Sequence, residues 1–124
     1  MQQLYFHPTW DRQISAQDRA FIEQLFTETY KDVDDFIMSP TIRVALNHKK
    51  ELLVTVLVHN FTHHSAKFYN RSVFIQCDGY EEEQTFTIPD LVIAPFTSMP
   101  WTFIFRPDPA HESLPLEMLT VEID

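Results

Sequence analysis

From Pro40 onward the apolar residues of this chain recur at every second position, and that period limits the fold more than any other feature. Ile42, Val44 and Leu46 alternate with Thr41, Arg43 and Ala45, which reads as a half-buried strand. A polar turn, His48-Lys-Lys-Glu51, separates it from "LLVTVLVHN" (52–60), which is β-branched and apolar on both faces and therefore suits a central strand. After the loop "NFTHHSA", residues 67–77 form another strand, with a bulge expected at Asn70-Arg71. Asp78-Gly79 is the strongest turn signal in the chain and predicts a tight hairpin into "YEEEQTFTI" (80–88). "PDLVIAP" and "SMPWTFIF" follow, and "LEMLTVEID" ends the chain as a strand with Leu119, Val121 and Ile123 on one face.

The first part of the chain has a different period. Ser15-Ala-Gln-Asp18 has capping-box spacing, and Phe21, Ile22, Leu25, Phe26 and Tyr30 then fall near helical spacing. We read one amphipathic helix over 16–31, with Asp32-Val-Asp-Asp35 already in a loop because acids disfavour a helix C-terminus. No helices lie between the later strands, so parallel βαβ units cannot be built and the pairing must be mostly antiparallel. The expectation is a single mainly-β domain over 1–124, an antiparallel, immunoglobulin-like β-sandwich with one N-terminal helix. With one Gly beside 8 Pro, the turns must use Asn, Asp and Pro in place of glycine.

"SMPWTFIF" (98–105) is read as core. On a strand, Trp101, Phe103 and Phe105 share the face that points between the sheets. Ile104 then faces outward, where the helix could cover it. Pro100, with no amide to donate, belongs at the strand entrance or a bulge.

A net charge of -9 makes phosphate backbones and anionic headgroups poor partners. Cys77 is the lone cysteine, so it has no intramolecular disulfide partner and is expected to be a small buried hydrophobe. "MQQLYFHPTWDR" lacks a basic segment followed by an apolar run, and no later stretch is apolar enough to span a membrane. The expected location is cytoplasmic, or at a membrane through a partner. The sequons at Asn60 and Asn70 are read as chance matches.

No constellation declares a reaction. His59, His63 and His64 are the one metal-like cluster, but i and i+4 spacing suits a helix and His59 lies on or beside a strand. The acids at 32–35 lack the glycine and the remaining oxygens of a calcium loop. No nucleophile elbow is present, and Gly79 alone cannot build a phosphate-cradling loop. Glu81-Glu82-Glu83 alternates faces on a strand, so either at least one carboxylate points inward or the segment is a loose edge or loop, and we read it as a solvated edge that discourages aggregation. We expect no catalytic, cofactor or metal residues, and no enzyme.

Several pieces together resemble the SLAP domain, found in Gram-positive bacilli and tied to an accessory Sec system and S-layer assembly. They are "LYFHPTW" (4–10) ahead of a capped helix, "LLVTVLVHN" followed by Lys67-Phe68, and "IAPFTSMPWTFIF" (93–105). The most specific are Phe6-His7-Pro8-x-Trp10 and Pro100-Trp101-Thr102-Phe103-x-Phe105, and the resemblance runs from about residue 4 to 106. Two departures, His59 in place of an arginine and Thr62–Ala66 in place of a Gly/Asp turn, leave that loop without an assigned role. The resemblance implies a non-enzymatic accessory or interaction domain linked to protein export. The acidic charge and the lack of a catalytic constellation then favour docking to a protein: an export component, an S-layer precursor or a second copy of the domain. Two other readings stay open at this level: a small metal-dependent or histidine-based hydrolase using His59, His63 and His64, and an intracellular ligand-binding β-sandwich. If docking holds, a free sheet edge could accept an extended segment.

Overall fold

The computed structural model describes residues 1–123. Among them are eight strands and two α-helices: β1 (Gln3–Leu4), α1 (Pro8–Gln13), α2 (Ala16–Thr29), β2 (Phe36–Met38), β3 (Arg43–Leu46), β4 (Leu52–Asn60), β5 (Ala66–Cys77), β6 (Tyr80–Ile93), β7 (Thr97–Phe105) and β8 (Thr120–Ile123). Two short 3-10 helices, Pro109–Ser113 and Leu116–Met118, join β7 to β8. The first sheet is five-stranded, in the order β1-β7-β4-β2, with β3 sharing the β2 side of β4. The second is three-stranded, in the order β6-β5-β8. Pairing is antiparallel throughout except for β1 on β7, so the mainly-β, mostly antiparallel expectation holds.

The core lies between the sheets. Alternate residues of β4 (Leu52, Val54, Val56 and Val58) face inward and are fully buried. Phe103 of β7 meets Phe68 and Phe86 of the second sheet at 5.3 Å between ring centroids in each case, and Phe86 also meets Phe105 at 5.2 Å. Those tilted and edge-on pairs are the arrangements aromatic quadrupoles favour. Cys77 is buried with them, as expected, and burial raises its thiol pKa. The other face of β4 is apolar because the helices lie on it: Leu57 and His59 have no exposure.

Local signals account for most of the elements. Ser15 Oγ accepts the Asp18 amide at 3.0 Å and opens α2, which stops at Thr29 ahead of the acidic loop. Asp78 and Gly79 both take positive φ, +48° and +86°, as a type I′ hairpin requires. The expected bulge falls at Asn70 (φ +52°), where the register between β5 and β6 shifts. Phe96 also sits at φ +52°, held from both sides as its amide donates to Thr62 O and its carbonyl accepts from Gln3 N.

Four expectations need correction. There are two helices, since Pro8 and the His7 side chain, whose Nδ1 accepts the Thr9 amide, start α1 in a segment too short to show periodicity. Two strands, β1 and β2, are likewise too short to announce themselves, while "PDLVIAP" is mostly absorbed into the end of β6. Pro100 is not at the entrance of β7: it lies opposite Leu57 inside an uninterrupted ladder. Ile104 is not covered by a helix and stays 48% exposed.

Candidate interaction surface

Register places two rows of side chains across the outer face of the first sheet. Arg43, Thr55 and Thr102 form one, and the Thr55 and Thr102 hydroxyls hydrogen-bond at 2.8 Å. Ala45, Leu53 and Ile104 form the next. The helices cover this face only on the Leu57 and His59 side, so the apolar Ala45–Leu53–Ile104 row is left partly or largely open. Where the helices stop, a cleft of about 570 Å³ opens between Trp10, Ile14 and Phe21 on one wall and Ile42, Thr55 and Thr102 on the floor. Phe21, part of the predicted apolar stripe, is 52% exposed there, while Ile22 is the buried residue of α2. Asp18 and Arg43 are the charged residues lining the cleft.

The same face leads to a free sheet edge. β1 pairs with β7 only at Thr97 and Ser98. Gln3 N donates to Phe96 O and Tyr5 N to Ser98 O, so the even-numbered residues of β7 present their backbone groups away from β4. Pro100 is one of these, which is why its missing N–H leaves the β4 ladder intact. Farther along, the Gln84 side chain of β6 caps the edge: its Nε2 donates to Ile104 O at 3.3 Å and its Oε1 accepts Arg106 N at 2.9 Å. Beside the edge runs a trough of about 640 Å³ between α1 and β6, with Trp101 on its floor. Trp101 is therefore half-buried, packed on the core at one side and edge-on to His7 at 5.7 Å on the other.

The three histidines singled out in the sequence are not assembled into a site. His63 and His64 lie tilted against each other in an exposed loop, 4.1 Å between centroids and 38° between planes. His59 is fully buried in a directional chain of hydrogen bonds. Gln2 Nε2 donates to Ser98 Oγ (3.0 Å), Ser98 Oγ lies 2.6 Å from His59 Nδ1, His59 Nε2 lies 2.8 Å from Thr29 Oγ1, and Thr29 Oγ1 donates to Leu25 O at 2.7 Å. Because the Thr29 hydroxyl proton is spent on Leu25, Thr29 accepts, and the proton of the neutral ring belongs on Nε2. Burial first, and the charge of Lys31 second, lower the His59 pKa to about 4. The Ser98–His59 pair copies one link of a hydrolase triad, yet both residues have no exposure and the third partner is a hydroxyl. It pins α2 to the sheet. Asn60, in one of the sequons, is equally committed: its Nδ2 bonds the carbonyls of His64, Ile93 and Ala94.

A cluster the sequence did not reveal joins β6 to the segment after β7. Glu82, the inward carboxylate of the glutamate run, accepts on Oε1 from Tyr80 OH at 2.7 Å and lies 2.6 Å from Nε2 of the fully buried His111. Tyr80 OH also reaches Asp108 Oδ2 at 3.5 Å, and burial followed by Glu82 pushes the phenol pKa well up. Glu82, Asp108 and His111 offer ligand atoms within 4.8 Å of one another. Metal-bound histidine normally donates its second ring N–H, but His111 Nδ1 is buried with no hydrogen-bond partner. The arrangement therefore fits Nε2–H donating to Glu82 better than it fits an ion. His111 and Glu82 are separated by 29 residues, so only tertiary structure brings them together.

The chain matches the SLAP domain family model over residues 4–124. It belongs to the SLAP domain family. The match extends through the segment carrying Asp108 and His111, beyond the motifs that carried the resemblance. No curated protein and no solved structure matches the chain. This SLAP domain is thus a mainly-β member of its family. Among its described residues no helix is long and apolar enough to cross a membrane.

Proposed function

We propose that this SLAP domain is a non-enzymatic docking module of accessory Sec-dependent export or S-layer assembly, binding a protein partner on the uncovered half of its first sheet. The observation that carries the proposal is the open row Ala45–Leu53–Ile104 beside a cleft lined by Trp10 and Phe21. Exposed apolar surface framed by polar residues marks interaction sites. The family association supplies the setting, and an export component or an S-layer precursor is the occupant. We place the domain in the cytoplasm, reaching a membrane through that partner.

The test is calorimetric titration of the domain with accessory Sec components and S-layer precursors, using wild type and the variants Leu53→Asp and Ile104→Asp. Docking predicts saturable binding that weakens by about 2 kcal/mol or more in either variant, the scale of a central interface residue. Self-association measured by sedimentation would identify a second copy as the occupant instead. Hydrolytic turnover abolished by His59→Gln, with no protein partner bound, would overturn the docking reading.

A further inference from the structure

We propose that the open edge of β7 at Thr102 and Ile104 receives an extended segment of a partner, flanked by Lys or Arg, as an added strand. The inference rests on the docking reading and deepens it.

The backbone groups define the receptor. On the free side of β7, Ser98 O is taken by Tyr5, and Gln84 takes Ile104 O and Arg106 N. Between those caps lie Thr102 N–H, Thr102 O and Ile104 N–H, with Pro100 itself buried, and among the described residues no strand pairs with that side of β7 beyond Ser98. Unpaired strand edges are templates for another chain, and proteins blunt the ones they do not use. Here both ends are blunted, by β1 and by Gln84, while the middle is left open and the trough leaves room for a strand beside it. Side chains on one face of an added strand would enter the trough against Trp101, Phe86 and Ile88; those on the other would meet Thr9 and Trp10.

Charge selects the segment. Asp90 lines the trough, no Lys or Arg does so among the described residues, and the chain carries a net charge of -9. A segment with apolar residues at its centre and Lys or Arg at its ends is favoured electrostatically, and an acidic one is repelled.

The probe is a short acetylated peptide with a Val-rich centre and Lys at both ends, titrated into the isotopically labelled domain and followed by amide NMR, with a peptide carrying Glu at both ends as its acidic twin. The expected result is that the basic peptide shifts the Thr102 and Ile104 amides and slows their hydrogen exchange, while the acidic twin does neither. Thr102→Pro removes an edge donor, whereas Thr102→Val removes only the hydroxyl bonded to Thr55. The proline variant should bind about tenfold more weakly than the valine variant, the scale of one backbone hydrogen bond plus a steric block. Gln84→Ala uncaps Ile104 O and Arg106 N, so binding should tighten severalfold even if the proline variant fails to fold. No binding by the basic peptide, or equal binding by the proline and valine variants, overturns the edge. Equal binding of the acidic twin overturns the charge selection. Shifts confined to Ala45 and Leu53, lost in Leu53→Asp, would overturn the edge while leaving docking on the sheet face standing.

Discussion

His59 adds to the carboxylates a dependence of this SLAP domain's stability on pH between 6.5 and about 4. Its pKa falls from an ordinary value of 6.5 to about 4 in the fold, because a fully buried ring cannot be hydrated as a cation. Protonation would also turn Nδ1 into a donor against the Ser98 hydroxyl that now serves it. Between those two values the unfolded chain binds a proton that the native state refuses. Stability attributable to His59 is therefore complete above pH 6.5, falls as pH drops towards 4, and levels off below that. At about 1.36 kcal/mol per unit, the loss sums to about 3 kcal/mol. That is a large share of the roughly 5–15 kcal/mol that holds a typical domain together. The assay is urea unfolding from pH 4 to 8 of wild type and His59→Gln, read as a difference so that the shared carboxylates cancel. At pH 7 the variant should be less stable by about 1–3 kcal/mol, having disturbed a buried hydrogen-bond chain. Near pH 4 the gap should close or invert. A gap that does not change with pH, or a His59 ring that titrates near 6.5 by NMR, would refute the reasoning.

Two further perturbations test the packing and the buried cluster. Phe103→Ala removes a fully buried ring touching Phe68 and Phe86 and should cost about 3–5 kcal/mol, whereas half-buried Trp101→Ala should cost clearly less; equal melting-temperature losses would contradict the placement of Trp101 at the trough. His111→Ala leaves Glu82 with Tyr80 OH as its donor and should cost about 1–3 kcal/mol, and zinc added to wild type should leave the melting temperature unchanged; an EDTA-reversible rise would show that Glu82, Asp108 and His111 hold an ion.

Local chemistry determined much of this protein without reference to its tertiary structure. The period of two made it mainly β, Ser15 placed a helix start, Asp78-Gly79 placed a hairpin, and Asn70 placed a bulge, because each acts through neighbours in the chain. Strand alternation offered an inward glutamate in 81–83 only as an alternative to a solvated edge, and contact with the buried His111 shows that Glu82 takes it. What alternation could not supply was the partner on each face. Ile104 was correctly placed outward, but whether a helix covered it depended on where α2 crosses the sheet, which no residue near Ile104 encodes. Pro100 was read as a strand end because its missing amide forbids a ladder bond, and only the pairing showed that amide position turned to a free edge. His59 was grouped with His63 and His64 as a solvated histidine on or beside a strand, and only Thr29, Ser98 and Gln2, far off in sequence, bury it. Short-range rules specify conformation and facing; burial, ring tautomers and open edges are set by long-range contacts, and the surfaces proposed here for docking are made of those.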